Sequence, residues 1–138
     1  MSSDVQEVFP VSHTEEEWRR LLTPEQFAVL RGHGTEHPGS CALNYEKRAG
    51  QFSCAGCEQV LFIGGTKFES GTGWPSFNTP VEGAVSTTLD RSLGMIRMEV
   101  HCSRCGGHLG HVFQDGPPPT GLRYCINGVA MNFAPAAA

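Results

Sequence analysis

The chain has 138 residues, 39% of them hydrophobic, and a formal net charge of −4. That length suits one domain with a real core and is too short for two ordinary ones. The 10 Lys and Arg are spread without a block of like charge, which excludes an electrostatic footprint for nucleic acid. No apolar run approaches the roughly 18 residues of a membrane helix.

Asp4 and Glu7 ahead of Pro10 lack the basic start and apolar segment of a secretion leader, so a reducing, cytoplasmic location is expected. Residues 1–13 read as a flexible lead-in. Thr14 with Glu17 three positions later is a capping box, and Trp18, Leu21 and Leu22 follow on one face, predicting a short helix. Thr23, Pro24 and Gln26 repeat the signal for a second helix, with Phe27 and Leu30 as its apolar pair and Gly32 as its stop.

Beyond about residue 50 glycines multiply and the apolar stretches shorten: Val60 to Ile63, Val85 to Leu89 and Met95 to Cys102. This half reads as antiparallel β. Across residues 95–101 the alternation predicts a buried face of Ile96, Met98 and Val100 and a wet face of Arg97, Glu99 and His101. Asp90-Arg91-Ser92-Leu93-Gly94 should turn the chain between two strands. Two loops stand out as places to build a site, Gly71 to Phe77 with Trp74 inside it and the proline-stiffened Asp115 to Gly121. The tail 134–138 offers little to bury.

The six cysteines sort by spacing. Cys54 with Cys57 and Cys102 with Cys105 form two CxxC pairs whose sulfurs can close one tetrahedral site, for which Zn²⁺ is the usual occupant. Gly106 and Gly107 let the backbone curl behind the second pair. The 44 residues between Cys57 and Cys102 exceed a simple zinc ribbon, so a hairpin is inserted between the halves of the clip. An active dithiol, bound iron or a disulfide framework would use the same residues, although Cys57 leads into a strand where a redox CxxC opens a helix. A zinc ion held by four cysteines would be structural, with no open position for chemistry.

Cys41 and Cys125 remain. A lone intracellular cysteine is commonly inert, but Arg123 and Asn127 flank Cys125 at two-residue spacing on the same side of a strand. The arginine favours thiolate and the asparagine can orient an oxygen or the sulfur. His108 and His111 lie three residues apart beside the second cysteine pair, either as bland structural residues or as members of a site.

"CAGC", "SGTGWPSF", "CSRCGGHLGHVFQDGP" and "PTGLRYCINGVAMNF" together resemble the B-type methionine sulfoxide reductases, which act on the R epimer of the sulfoxide. The resemblance runs from about Leu22 to Phe133. It implies a mainly β (α+β) single domain over 14–133, with two antiparallel sheets, short N-terminal helices and a zinc clip of Cys54, Cys57, Cys102 and Cys105 away from the active face.

It also implies that Cys125 is the nucleophile and His111 the acid, with His108 beside it. Trp74 would receive the substrate methyl and Phe113 would wall the pocket. Asn127 and Arg123 would orient and support, and Asp115 would hydrogen-bond a histidine. Many members carry a second, resolving cysteine where this chain has Thr72, so Cys41 is expected to form a disulfide with Cys125 that thioredoxin reduces, in a monomer; the alternative is direct reduction of the Cys125 sulfenic acid by an external thiol, with Cys41 a bystander. Rival readings are a zinc-clip binding module and a chaperone-like domain, neither of which would use Cys125 with "HLGHVF".

Overall fold

The computed structural model describes residues 9–91 and 94–136. Two seven-residue helices, α1 (Glu15–Leu21) and α2 (Pro24–Leu30), open the chain. Each begins with a complete capping box. Thr14 Oγ1 accepts from Glu17 N at 3.1 Å while Thr14 N donates to Glu17 Oε1 at 2.8 Å, and Thr23 and Gln26 exchange the same bonds at 3.1 and 2.9 Å. Helices this short do not persist alone in water, so packing must hold them. Trp18, Leu22, Val29 and Leu30 are buried in the core, and the Arg31 guanidinium lies 4.5 Å over the Trp18 ring while donating to Cys105 O at 3.1 Å.

The strands are β1 (Gly50–Cys54), β2 (Val60–Ile63), β3 (Lys67–Phe68), β4 (Ser76–Phe77), β5 (Val85–Asp90), β6 (Arg97–Cys102), β7 (His108–Phe113), β8 (Arg123–Ile126) and β9 (Met131–Pro135). They make two antiparallel sheets, one ordered β9-β1-β2 and the other β3-β4-β8-β7-β6-β5. The mainly β architecture with short N-terminal helices is the one expected. Phe62 stacks on Phe77 at 4.2 Å and Phe52 meets Phe77 edge-on at 5.1 Å, joining the sheets through fully buried rings. Burial of each such ring is worth about 2–3 kcal/mol.

The β5–β6 hairpin forms, with Asp90 opposite Arg97; Ser92 and Leu93 of its predicted turn lie outside the described residues, as do residues 1–8. Residues ahead of α1 dock on the cysteine clip, where Val11 N donates to Arg104 O at 2.9 Å and Phe9 meets His101 edge-on.

The alternation in β6 is present but its burial is reversed over most of the strand. Ile96 and Met98 are 70% and 38% exposed, whereas the side chains of Arg97 and Glu99 are 23% and 15% exposed and His101 is 5% exposed. The aromatic layer between the sheets reaches β4 and β8, so the outer face of β6 near Met98 meets water. The polar face is covered residue by residue: Arg97 lines a cavity together with residues of β7 and β8, Glu99 bonds His108 of β7, and His101 packs against Phe9. Only Val100 follows the expected inward pattern.

Candidate active site

Cross-strand register lines up Ser76, Cys125, His111, Glu99 and Thr88 as opposed pairs on β4, β8, β7, β6 and β5. Directly opposed residues share a sheet face, so thiol, imidazole and carboxylate stand in a row. Gly110 permits the close pairing beneath them, since a Cβ there would collide with the Cys125 carbonyl. Above the row is a cavity of about 210 Å³ that Cys125, His111, Arg97 and Arg123 line together with Trp74 and Phe113. Thr72 and Asn127 also border it.

Burial raises the Cys125 thiol above its ordinary range; the Arg123 charge and a hydrogen bond from the Thr72 hydroxyl pull the other way without overcoming it. Arg123 lies 4.5 Å over the Phe113 ring. Asp115 grips the same guanidinium, accepting from Nε at 2.9 Å and Nη2 at 3.1 Å. Asp115 therefore does not bond a histidine, which corrects the expected partner. The residue that projects from the loop after β7 reaches Arg123, its neighbour across the β7–β8 connection.

The histidine partners come from farther away in sequence. His111 Nε2 is 2.8 Å from Asp90 Oδ2, and His108 Nδ1 is 2.8 Å from Glu99 Oε2. Desolvation lowers the His111 pKa despite Asp90, and the hydrogen bond from His108 lowers that of Glu99. His111 borders the cavity; His108, 3% exposed, stands behind it with ring centroids 5.6 Å apart. Neither carboxylate, nor Arg97, was singled out from sequence. The signal available was the polar face of β6, read there as merely wet.

Asn127 is buried with both ends of its amide bonded: Oδ1 accepts from Glu36 N and Nδ2 donates to Leu109 O, both at 2.9 Å. Trp74 Nε1 donates to Glu36 O at 3.0 Å. Glu36 thus ties Asn127 and Trp74 together, while its Oε1 accepts from Val129 N at 2.9 Å and its buried Oε2 has no partner among the described residues. Sequence reasoning passed over this glutamate because nothing local distinguishes it.

Cys41 is half-buried and borders a different, larger groove that Val129 and Met131 also line. Its sulfur rests on Gly128, where a Cβ would come within 2.5 Å of it. Desolvation raises its pKa, and the Glu36 carboxylate disfavours thiolate at both Cys41 and Cys125. The two thiols are therefore neighbours of one carboxylate but not members of one cavity.

At the opposite end of β6 and β1, Cys54, Cys57, Cys102 and Cys105 bring their sulfurs within 4.8 Å of one another. Cys54 to Cys105 is 3.7 Å and Cys57 to Cys102 is 3.5 Å. Sulfurs around a tetrahedral ion with bonds of about 2.3 Å stand about 3.8 Å apart, so the cluster fits such an ion. Gly56 N and Arg104 N point at Cys54 Sγ and Cys102 Sγ at 3.3 and 3.4 Å, the donors expected around thiolates.

A family model described as the SelR domain matches residues 22–135. The chain belongs to the B-type methionine sulfoxide reductases. "Peptide methionine sulfoxide reductase MsrB" of Pseudomonas putida (strain W619) is 56% identical over 126 residues, covering 91% of this chain and 95% of that protein. Its namesake in Methanosarcina barkeri is 58% identical over 124 residues, 89% of this chain and 87% of that protein. That in Agrobacterium fabrum is 52% identical, covering 91% and 93%. Among the described residues no helix is long and apolar enough to cross a membrane.

Proposed function

We propose that this reductase converts methionine-R-sulfoxide, free or in proteins, to methionine, with Cys125 as nucleophile and residues 14–133 as the working domain. The observation that carries the reading is the opposed pair Cys125–His111 at the floor of a cavity walled by Trp74 and Phe113. A soft thiolate suits a sulfoxide sulfur, and an imidazole beside it can supply the proton the oxygen needs.

With the thiol pKa raised and the imidazole pKa lowered, the pair at neutral pH holds one proton, on sulfur. Passing it to His111 makes nucleophile and acid in one step. Cys125 sulfur then attacks the sulfoxide sulfur to form an S–S bond, His111 returns the proton to the oxygen, and the hydroxyl passes from the substrate sulfur to the Cys125 sulfur as that S–S bond and the S–O bond break. Methionine leaves, and Cys125, oxidised by two electrons, holds the oxygen as a sulfenic acid. Trp74 and Phe113 enclose the methyl-bearing end, Arg123 supports the thiolate, and Asn127 holds the Glu36 segment and the end of β7 in place.

Cys41 is the resolving thiol on this reading. Its sulfur attacks the Cys125 sulfenic sulfur, hydroxide leaves and takes up the thiol proton as water, and the Cys41–Cys125 disulfide forms. The dithiol of thioredoxin reduces it. Because the thiols border different cavities, the segment around Cys41 must move past Gly128 to react. Zinc in the four-cysteine cluster, where bound, contributes to folding and leaves the chemistry to the cavity. The protein acts as a cytoplasmic monomer.

The test is consumption of the R and of the S sulfoxide, each with dithiothreitol, by wild type and Cys125→Ser. Loss of the R epimer alone, abolished in the variant, supports the reading. Consumption of neither epimer by a folded, zinc-loaded protein would replace it with a binding module.

A further inference from the structure

We propose that His33, Glu99 and His108 form a second metal site, distinct from the four-cysteine cluster, that captures a divalent transition ion such as Zn²⁺ beside the catalytic cavity. His33 Nε2 lies 3.3 Å and His108 Nδ1 2.8 Å from the same oxygen, Glu99 Oε2, and all three ligand atoms fall within 4.8 Å of one another. Ligand atoms around an ion with bonds of about 2.1 Å stand about 2.9 to 3.4 Å apart; the His33–Glu99 distance of 3.3 Å already has that spacing, and the 2.8 Å His108–Glu99 hydrogen bond needs only a slight widening to reach it. Two imidazoles and a carboxylate suit Zn²⁺, Ni²⁺ or Cu²⁺.

Two further features point the same way. Thr88 Oγ1 donates to the other carboxylate oxygen, Oε1, at 3.1 Å, which orients Glu99 and leaves Oε2 to the two rings. His33 sits just after α2 with φ of +58°, a left-handed backbone that is unfavourable for a side-chain-bearing residue, although glycines flank it at 32 and 34. The turn aims its ring at Glu99. His33 is 67% exposed whereas Glu99 and His108 are 15% and 3% exposed, so the site has a rigid base and one arm open to solvent by which an ion and its waters enter.

Occupancy has a consequence for the neighbouring chemistry. The His108 ring is 5.6 Å from that of His111, and an ion held by it adds positive charge next to the proton-carrying pair. The site would make turnover sensitive to metal beyond the one equivalent the cysteines hold.

The experiment is calorimetric titration of Zn²⁺ into reduced, full-length protein already carrying one zinc per chain, for wild type, His33→Asn, His37→Ala and Cys125→Ser. Asparagine tolerates the left-handed turn, so the first variant keeps the fold, which retention of one zinc and an unchanged circular dichroism spectrum verify. A second equivalent in wild type, weakened at least about tenfold in His33→Asn and unaltered in the other two, is the expected result. No second equivalent, equal binding by His33→Asn, or loss of binding in His37→Ala or Cys125→Ser would overturn the proposal.

Discussion

Two groups of sulfur atoms in this molecule live under opposite conditions. Cys54, Cys57, Cys102 and Cys105 face one another, three of them buried, with backbone N–H groups turned toward two of the sulfurs and the spacing of a closed tetrahedron. Cys125 faces a cavity, with a hydroxyl, a guanidinium and an imidazole as company. Reactivity follows from what is left unsatisfied. The clustered sulfurs are crowded by one another and turned away from the cavity, whereas Cys125, held by Thr72 and Arg123, borders a cavity that a substrate can enter.

The sharpest way to break this contrast is to exchange consequences. Cys125→Ser should reduce turnover to background while zinc content stays at one per chain and the melting temperature moves by less than about 3 °C. Cys54→Ala should do the reverse in kind. A structural zinc is worth about 10 kcal/mol or more, as much as a domain's whole stability, so the variant should lose its metal and its near-ultraviolet dichroism at room temperature. If instead Cys54→Ala stays folded and active, the cluster is not a clip.

A finer cut separates the two free thiols. Cys41→Ser should lower thioredoxin-driven turnover at least about tenfold and leave dithiothreitol-driven turnover within about twofold, because the small thiol reaches the Cys125 sulfenic acid directly. Equal loss with both reductants would mean that Cys41 supports the site instead of resolving it.

The pH profile tests the shared proton. Below the lowered His111 pKa both groups are protonated and transfer from thiol to imidazole is blocked; above the raised Cys125 pKa the proton is gone and no acid remains. Single-turnover rate should therefore be flat across a plateau wider than the ordinary values of about 6.5 and 8.5 would give, falling about tenfold per pH unit on either side. Arg123→Ala removes a charge that lowers the thiol pKa, so its alkaline limb should move further up.

The smallest effect is expected at the carboxylates. The Asp115 carboxylate is 65% exposed and its ion pair with Arg123 is screened by solvent, so Asp115→Asn should cost less than about fivefold in kcat. Asp90→Asn, which alters the partner of His111, should cost more than Asp115→Asn.

Elements whose cause is local were legible in the sequence. Both capping boxes, the two helices and the pairing of the CxxC motifs rest on residues within a few positions of one another. So did the strand bearing Cys125 with its flanking Arg123 and Asn127. What failed was partner choice across strands. Asp115 is near His111 in sequence, yet Asp90 and Glu99 are the acids that reach the rings, because the β5–β6–β7 register brings them there. The period of β6 was readable, but period alone does not say which face is covered. Glu36, which links Trp74, Asn127 and the neighbourhood of both thiols, acts through contacts some 40 and 90 residues away in the chain and leaves no local mark.

The most direct measurement is to mix Cys41→Ser with methionine-R-sulfoxide and no reductant, add dimedone, and count methionine and adducts by mass spectrometry. One methionine per chain, with a single adduct on Cys125 and the four clustered cysteines unmodified, is the predicted result. Methionine formed without an adduct on Cys125, or no methionine from a folded protein, would contradict the assignment of Cys125 as the nucleophile.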